Sequence, residues 1–99
     1  MVKFKNSYLN NLGISFKEIL KEIQVYPGIL ETNLARILWD KYDIKSKGYL
    51  YSTAKVYIFK AVQVLVEQNI ICSKKTKEGT IVYFKNSFDK VIKCMWFKL

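Results

Sequence analysis

Ser52–Phe84, STAKVYIFKAVQVLVEQNIICSKKTKEGTIVYF, is the stretch on which the fold turns. Its first half carries Ala54, Ile58, Ala61, Val62 and Leu65 at helical spacing, a pattern that buries one face of an α-helix. Phe59 and Val66 widen that face, and Val64, near the polar side, is expected to pack on the first helix. The opposite side carries Lys55, Val56, Lys60, Gln63 and Glu67. Ser52 or Thr53 is expected to cap this helix, which runs to about Asn69. Asn69 tolerates the left-handed backbone that closes a helix. Ile70-Ile71-Cys72 and Ile81-Val82-Tyr83-Phe84 then read as two strands around a Lys-Glu-Gly tip. A lone hairpin is marginal in water, so this one must pack on the helices.

The rest of the chain supplies those helices. Ser15-Phe16-Lys17-Glu18 is a capping box, with Ile14 and Ile19 placed as a hydrophobic staple. Phe16, Ile19, Leu20 and Ile23 share one apolar face, and Pro27-Gly28 stops the helix near Gln24 or Val25. A second helix is expected from Glu31 or Thr32 to Tyr42, with Leu34, Ile37, Leu38 and Lys41 on one face and Trp39 at the core or its rim. Asp43–Tyr51 reads as a loop, partly tied to the core by Tyr49, Leu50 and Tyr51. Lys45 and Lys47 then lie beside the helix that the loop introduces. Residues 1–14 form either an arm, with Lys3 and Lys5 following a polyanion, or a short helix. At the other end Asn86 or Ser87 caps a last helix. Phe88, Val91, Ile92, Met95, Trp96 and Leu99 form its stripe.

The chain has 99 residues, enough for one domain, and 51% of them are hydrophobic. No apolar run reaches the length of a membrane span, and the first residues lack a signal peptide's apolar block. A soluble protein of the cytoplasm (of the host, if viral) is expected. The formal net charge is +9. Between Ser15 and Asp43 acids outnumber bases by one, so the excess lies in the N-terminal residues, the Lys45–Lys60 region, the hairpin and the tail. Solubility alone accounts for an even spread of charge; clustering points to a polyanion partner.

The pattern Val62-x-x-Leu65-x-x-x-Asn69-Ile70-Ile71 resembles the end of the recognition helix in the winged-helix family, with Asn69 in the place of a glycine. The resemblance covers Ser15 to Phe84. It implies an α+β winged helix-turn-helix: a three-helix core over 15–85, a wing of two to three strands that includes a very short strand at Ile29-Leu30, and an extra C-terminal helix over 86–99. The loop before the third helix is longer than the three- or four-residue turn of compact members. The abundance of lysine, isoleucine and tyrosine is similar to that of small regulators encoded by viruses and plasmids of thermoacidophilic archaea. The family implies sequence-specific binding of double-stranded DNA and a role in transcription. Ser52, Thr53, Lys55, Val56, Lys60 and Gln63 would face the major groove. Lys74, Lys75 and Lys77 on the wing, with Lys45 and Lys47 in the preceding loop, would meet the backbone. The stripe Phe88, Val91, Ile92, Met95, Trp96 and Leu99 either packs internally on the first helix or joins two copies, and a homodimer is the expectation.

An enzyme is not expected. The sequence has no histidine, no glycine-rich phosphate loop and no acidic pair at metal-ligand spacing. Two cysteines without histidine make no zinc site. No cofactor, metal, small-molecule substrate or membrane partner is implied. Cys72 and Cys94 are free thiols in a mesophilic cytosol; in a hyperthermophile a disulfide within or between chains is open to them. Two other functions compete. One is a winged-helix adaptor that meets an acidic protein. The other is binding of single-stranded nucleic acid or RNA, with Tyr49, Tyr51, Tyr57 and Tyr83 as stacking platforms.

Overall fold

A computed structural model of the chain describes residues 6–84, with side chains described from Tyr8 onward. A short helix α1 (Asn6–Leu12) precedes α2 (Phe16–Val25), so the N-terminal segment is helical over those seven residues. At the start of α2 the Glu18 carboxylate accepts from both the amide and the hydroxyl of Ser15. These bonds hold its carboxyl below the usual glutamate range. Ile14 and Ile19 are both buried in the same core, as a staple requires.

The chain leaves α2 through Tyr26-Pro27-Gly28, with Gly28 at φ 82°. Strand β1 (Ile29–Leu30) runs directly into α3 (Glu31–Lys41) with no linking residue. The segment read as a loop contains a turn of 3₁₀ helix, Ile44–Lys47, whose Ile44 is fully buried. That apolar anchor explains why a charged nine-residue stretch is ordered. Asp43 and Gly48 bracket the turn in left-handed conformations, φ 48° and 87°.

The third helix of the sequence pattern is α4 (Tyr51–Glu67). It begins one residue before Ser52, and Leu50 occupies the cap position with no side-chain hydrogen bond. Ser52 and Thr53 therefore lie inside the first turn and do not cap it. Tertiary contact explains the shift: the Tyr51 ring meets Trp39 edge-on at 5.4 Å, and the Arg36 guanidinium sits 5.6 Å from its centre. At the far end Asn69 takes φ 62°. The Asn69 amide donates to Val66 O and the Ile70 amide to Leu65 O. This pair is the Schellman closure, formed here on asparagine.

Ile70 leads into β2 (Ile71–Thr76), and β3 (Gly79–Phe84) returns antiparallel to it around Lys77-Glu78. Thr76 Oγ1 ties the turn by donating to Gly79 O and accepting from the Glu78 amide. The sheet order is β1-β3-β2, with Ile29 opposite Val82 and Ile71 opposite Phe84. Its inner face joins the helices: Ile29, Ile71, Val82 and Phe84 belong to the core built on Leu9, Leu12, Ile19, Ile23, Leu34, Leu38, Ile58 and Leu65. The fold is thus an α+β domain, helices packed on a three-stranded antiparallel sheet that ends in a hairpin, consistent with the winged-helix layout. No helix among the described residues is long and apolar enough to cross a membrane.

One tie between α2 and α3 has no signature in the sequence. Glu22 is 3% exposed on the buried side of α2, and its Oε1 accepts from Lys41 Nζ at 2.6 Å. Its carboxylate raises the Lys41 ammonium pKa above the usual lysine value.

Candidate nucleic-acid interface

Helix α4 divides as its sequence pattern implies. Ala54, Ile58, Ala61, Val62 and Leu65 are buried, whereas Ser52, Val56, Gln63 and Glu67 are exposed. The exposed four recur at spacings that keep them on one stripe, about 16 Å from Ser52 to Gln63 along the axis. Thr53, Lys55 and Lys60 flank the stripe, half-buried. The Lys55 ammonium lies 5.5 Å from the centre of the Phe59 ring, so its stem covers that ring while its charge stays at the surface.

The stripe and the hairpin border one groove. Val56, Phe59, Lys60, Gln63 and Glu67 of α4 line it together with Ser73 of β2 and Glu31 of α3. Of the residues expected to contact DNA, the structure brings Val56, Lys60 and Gln63 together here. Phe59, Glu67, Ser73 and Glu31 join them without a signal in the sequence for that role. Glu31 reaches the groove because β1 passes straight into α3, which seats the first helical residue beside the sheet. Burial there pushes its carboxyl pKa up.

The hairpin lysines are exposed but do not share a face. Lys75 is on the helix-facing side with Ser73, Lys74 is opposite Ile81 on the outer side, and Lys77 is in the turn. Lys45 is exposed on the 3₁₀ turn. Lys47 has a structural engagement: its Nζ donates to Leu12 O at 3.0 Å, meeting a carbonyl at the end of α1. Gly13 follows at φ 81°, and a Cβ there would collide with Lys47 Nζ. The expected stacking tyrosines also have protein partners. Tyr57 stacks on Tyr8 at 4.8 Å and meets Tyr49 at 6.5 Å, Tyr51 packs with Trp39, and Tyr83 is buried. Cys72 is a free, half-buried thiol. Lys3, Lys5, Cys94 and the stripe Phe88, Val91, Ile92, Met95, Trp96 and Leu99 lie outside the described residues.

Comparison of the chain with protein-family models, curated proteins and solved structures finds no match.

Proposed function

We propose that this is a winged-helix protein that binds double-stranded DNA in a sequence-specific manner and regulates transcription. The observation that carries this reading is the shared groove: the exposed stripe of α4 and strand β2 of a lysine-tipped hairpin border the same surface. An α-helix with its side chains is about 10–12 Å across and fits the major groove, about 12 Å wide. Gln63 reads adenine through its amide, Val56 meets a thymine methyl, and Ser52 and Lys60 reach base edges or phosphate. Lys75 and Lys77 follow the backbone beside the groove, with Lys45 at the other end of the helix. The two carboxylates, Glu31 and Glu67, oppose phosphate and favour a register in which phosphates avoid the groove centre.

A competition shift assay tests this. Labelled duplex selected from a random pool is challenged with duplex, single-stranded DNA and RNA. Recovery of a consensus, and displacement by that duplex alone, is the expected result. Preference for a single strand, or no consensus, removes the reading. An adaptor role is favoured by one feature, the half-exposed Val56 beside Phe59 and the two glutamates. Failure to bind any nucleic acid at low salt would bring it forward.

A further inference from the structure

A second groove opens at the sheet edge opposite β2. Among the described residues β1 pairs with β3 alone, so its other side is an edge of the sheet. The groove is lined by the continuous run from Val25 to Leu30 and by Asn33, Arg36 and Ile37, which share one face of α3. No carboxylate is among these lining residues, and Arg36 is the cation among them. Arg36 is also the single arginine of a chain with sixteen lysines. A guanidinium differs from an ammonium in two ways: it stacks on rings, and its planar fork takes a carboxylate through two parallel bonds. The first capacity is used inside the fold, where the guanidinium lies 5.6 Å from the centre of the Tyr51 ring. The second is not, since among the described residues no acid pairs with Arg36. At the rim, Val25 and Tyr26 are 58% and 51% exposed, and they adjoin Pro27 in one apolar patch.

We infer that this groove docks an acidic partner protein, through a segment that sets an apolar side chain beside an Asp or Glu carboxylate. Charge selects the acid: an unpaired guanidinium with no carboxylate around it is complementary to one. The apolar rim selects a protein. A small acid seated in the groove leaves Val25 and Tyr26 in water, whereas a protein segment covers them. A phosphate backbone gains nothing from Val25, Pro27, Ile29 and Ile37. The mode of recognition also follows. The Gly28 amide donates to Val82 O, so alternation turns the Ile29 amide toward the outer edge, where Tyr26 O accepts it. The edge thus has no free amide at Ile29 for an added strand, and the segment is held by side chains. The carboxylate meets the guanidinium and the Asn33 amide, and the apolar group lies against Val25, Tyr26 and Ile37. The inference stands apart from the DNA reading, whose groove is bordered by α4 and β2.

The probe is a peptide selected from a displayed random library panned on the full chain, then synthesised with a fluorescent label. Selected peptides should share an aromatic or aliphatic residue next to Asp or Glu. By anisotropy, Arg36→Glu should weaken the chosen peptide about tenfold or more, and a peptide with lysine in place of its acid should regain affinity for that variant. The double change Val25→Ser and Tyr26→Ser should weaken the original peptide several-fold with melting unchanged. Should Arg36→Glu fail to fold, this exposed pair decides. Duplex binding should be the same in both variants. A library that yields no binder, binders without an acid, or affinities indifferent to both variants would each overturn the inference. Loss of duplex binding in Arg36→Glu would assign the groove to nucleic acid instead. A dimer that Val25→Ser and Tyr26→Ser dissolve would assign it to a second copy.

Discussion

Between α2 and α3 a charge turns inward: Lys41 of one helix meets the buried Glu22 of the other at 2.6 Å. Along α4 and the hairpin the charges turn outward, with Lys74, Lys75 and Lys77 exposed on the hairpin and Ser52, Val56 and Gln63 exposed on the helix. The first arrangement takes a carboxylate out of water and must compensate it within the fold. The second leaves cations hydrated and gains from an external anion instead. Substitutions in the first region should therefore act on stability and leave the affinity of the folded protein alone. Those in the second should do the reverse.

The largest effect is expected from Lys41→Ala, which leaves Glu22 buried without its ion pair. Removing one partner of an ion pair whose other member is buried is destabilising, and access of water past the half-exposed lysine position limits the loss. Urea denaturation measures it. Replacing both Glu22 and Lys41 by leucine should recover most of the loss, since a packed apolar pair removes the stranded charge. The pH dependence has a definite sign. The folded pKa of Lys41 is raised, so its contribution is full below the ordinary lysine value and is lost as pH rises through the raised one. The gap between wild type and Lys41→Ala should therefore close in strong alkali. A gap independent of pH there would mean that the pair holds the helices by packing alone.

Next is Gln63→Ala. If Gln63 makes a bidentate base contact, its removal should cost about 1–3 kcal/mol at the selected duplex and much less on random duplex. Unchanged melting would keep the effect on the binding side of the comparison. An equal loss on both duplexes would reduce Gln63 to a backbone contact. The paired change Lys75→Ala and Lys77→Ala should weaken every duplex alike. It should also flatten the salt dependence by about one unit of log–log slope for each phosphate that is no longer neutralised. An unaltered slope would take the hairpin tip out of the interface. The smallest effect is expected from Glu31→Gln. Glu31 has a raised pKa and borders the groove, so wild-type affinity should climb a few-fold as pH falls through that value. Glu31→Gln should bind at neutral pH as the wild type does in acid, with little remaining pH dependence in the mildly acidic range.

The elements legible in the sequence are those defined by neighbours along the chain. Ser15 and Glu18 are three residues apart, and their cap is present. Asn69 follows directly on α4 and closes it. The pattern of Ala54, Ile58, Ala61, Val62 and Leu65 locates the buried face of α4 and, by exclusion, puts Val56 and Gln63 on the exposed one. The features that sequence reasoning misses join residues far apart. Glu22 and Lys41 are 19 positions apart, and Lys47 reaches a carbonyl 35 positions away. No local pattern marks either pair, because each depends on how whole helices come together. The start of α4 differs from the expected one for the same reason, since Tyr51 is held by α3 residues and not by a cap. Glu31 in the groove is hidden by a different cause. Its place follows from the absence of a linker, which a pattern of element types does not reveal.

That missing linker also limits how the chain can change length. Leu30 ends β1 and serves as the cap position of α3 at once. One residue inserted after Leu30 would turn α3 by about 100° relative to the strand, carrying Leu34 and Leu38 out of the core. A deletion would turn it the other way. The exposed Lys77-Glu78 tip lies at the turn between β2 and β3, where an extra residue can be taken up without moving a helix. Variation in length should therefore collect at the tip of the hairpin and be absent from the junction at its base.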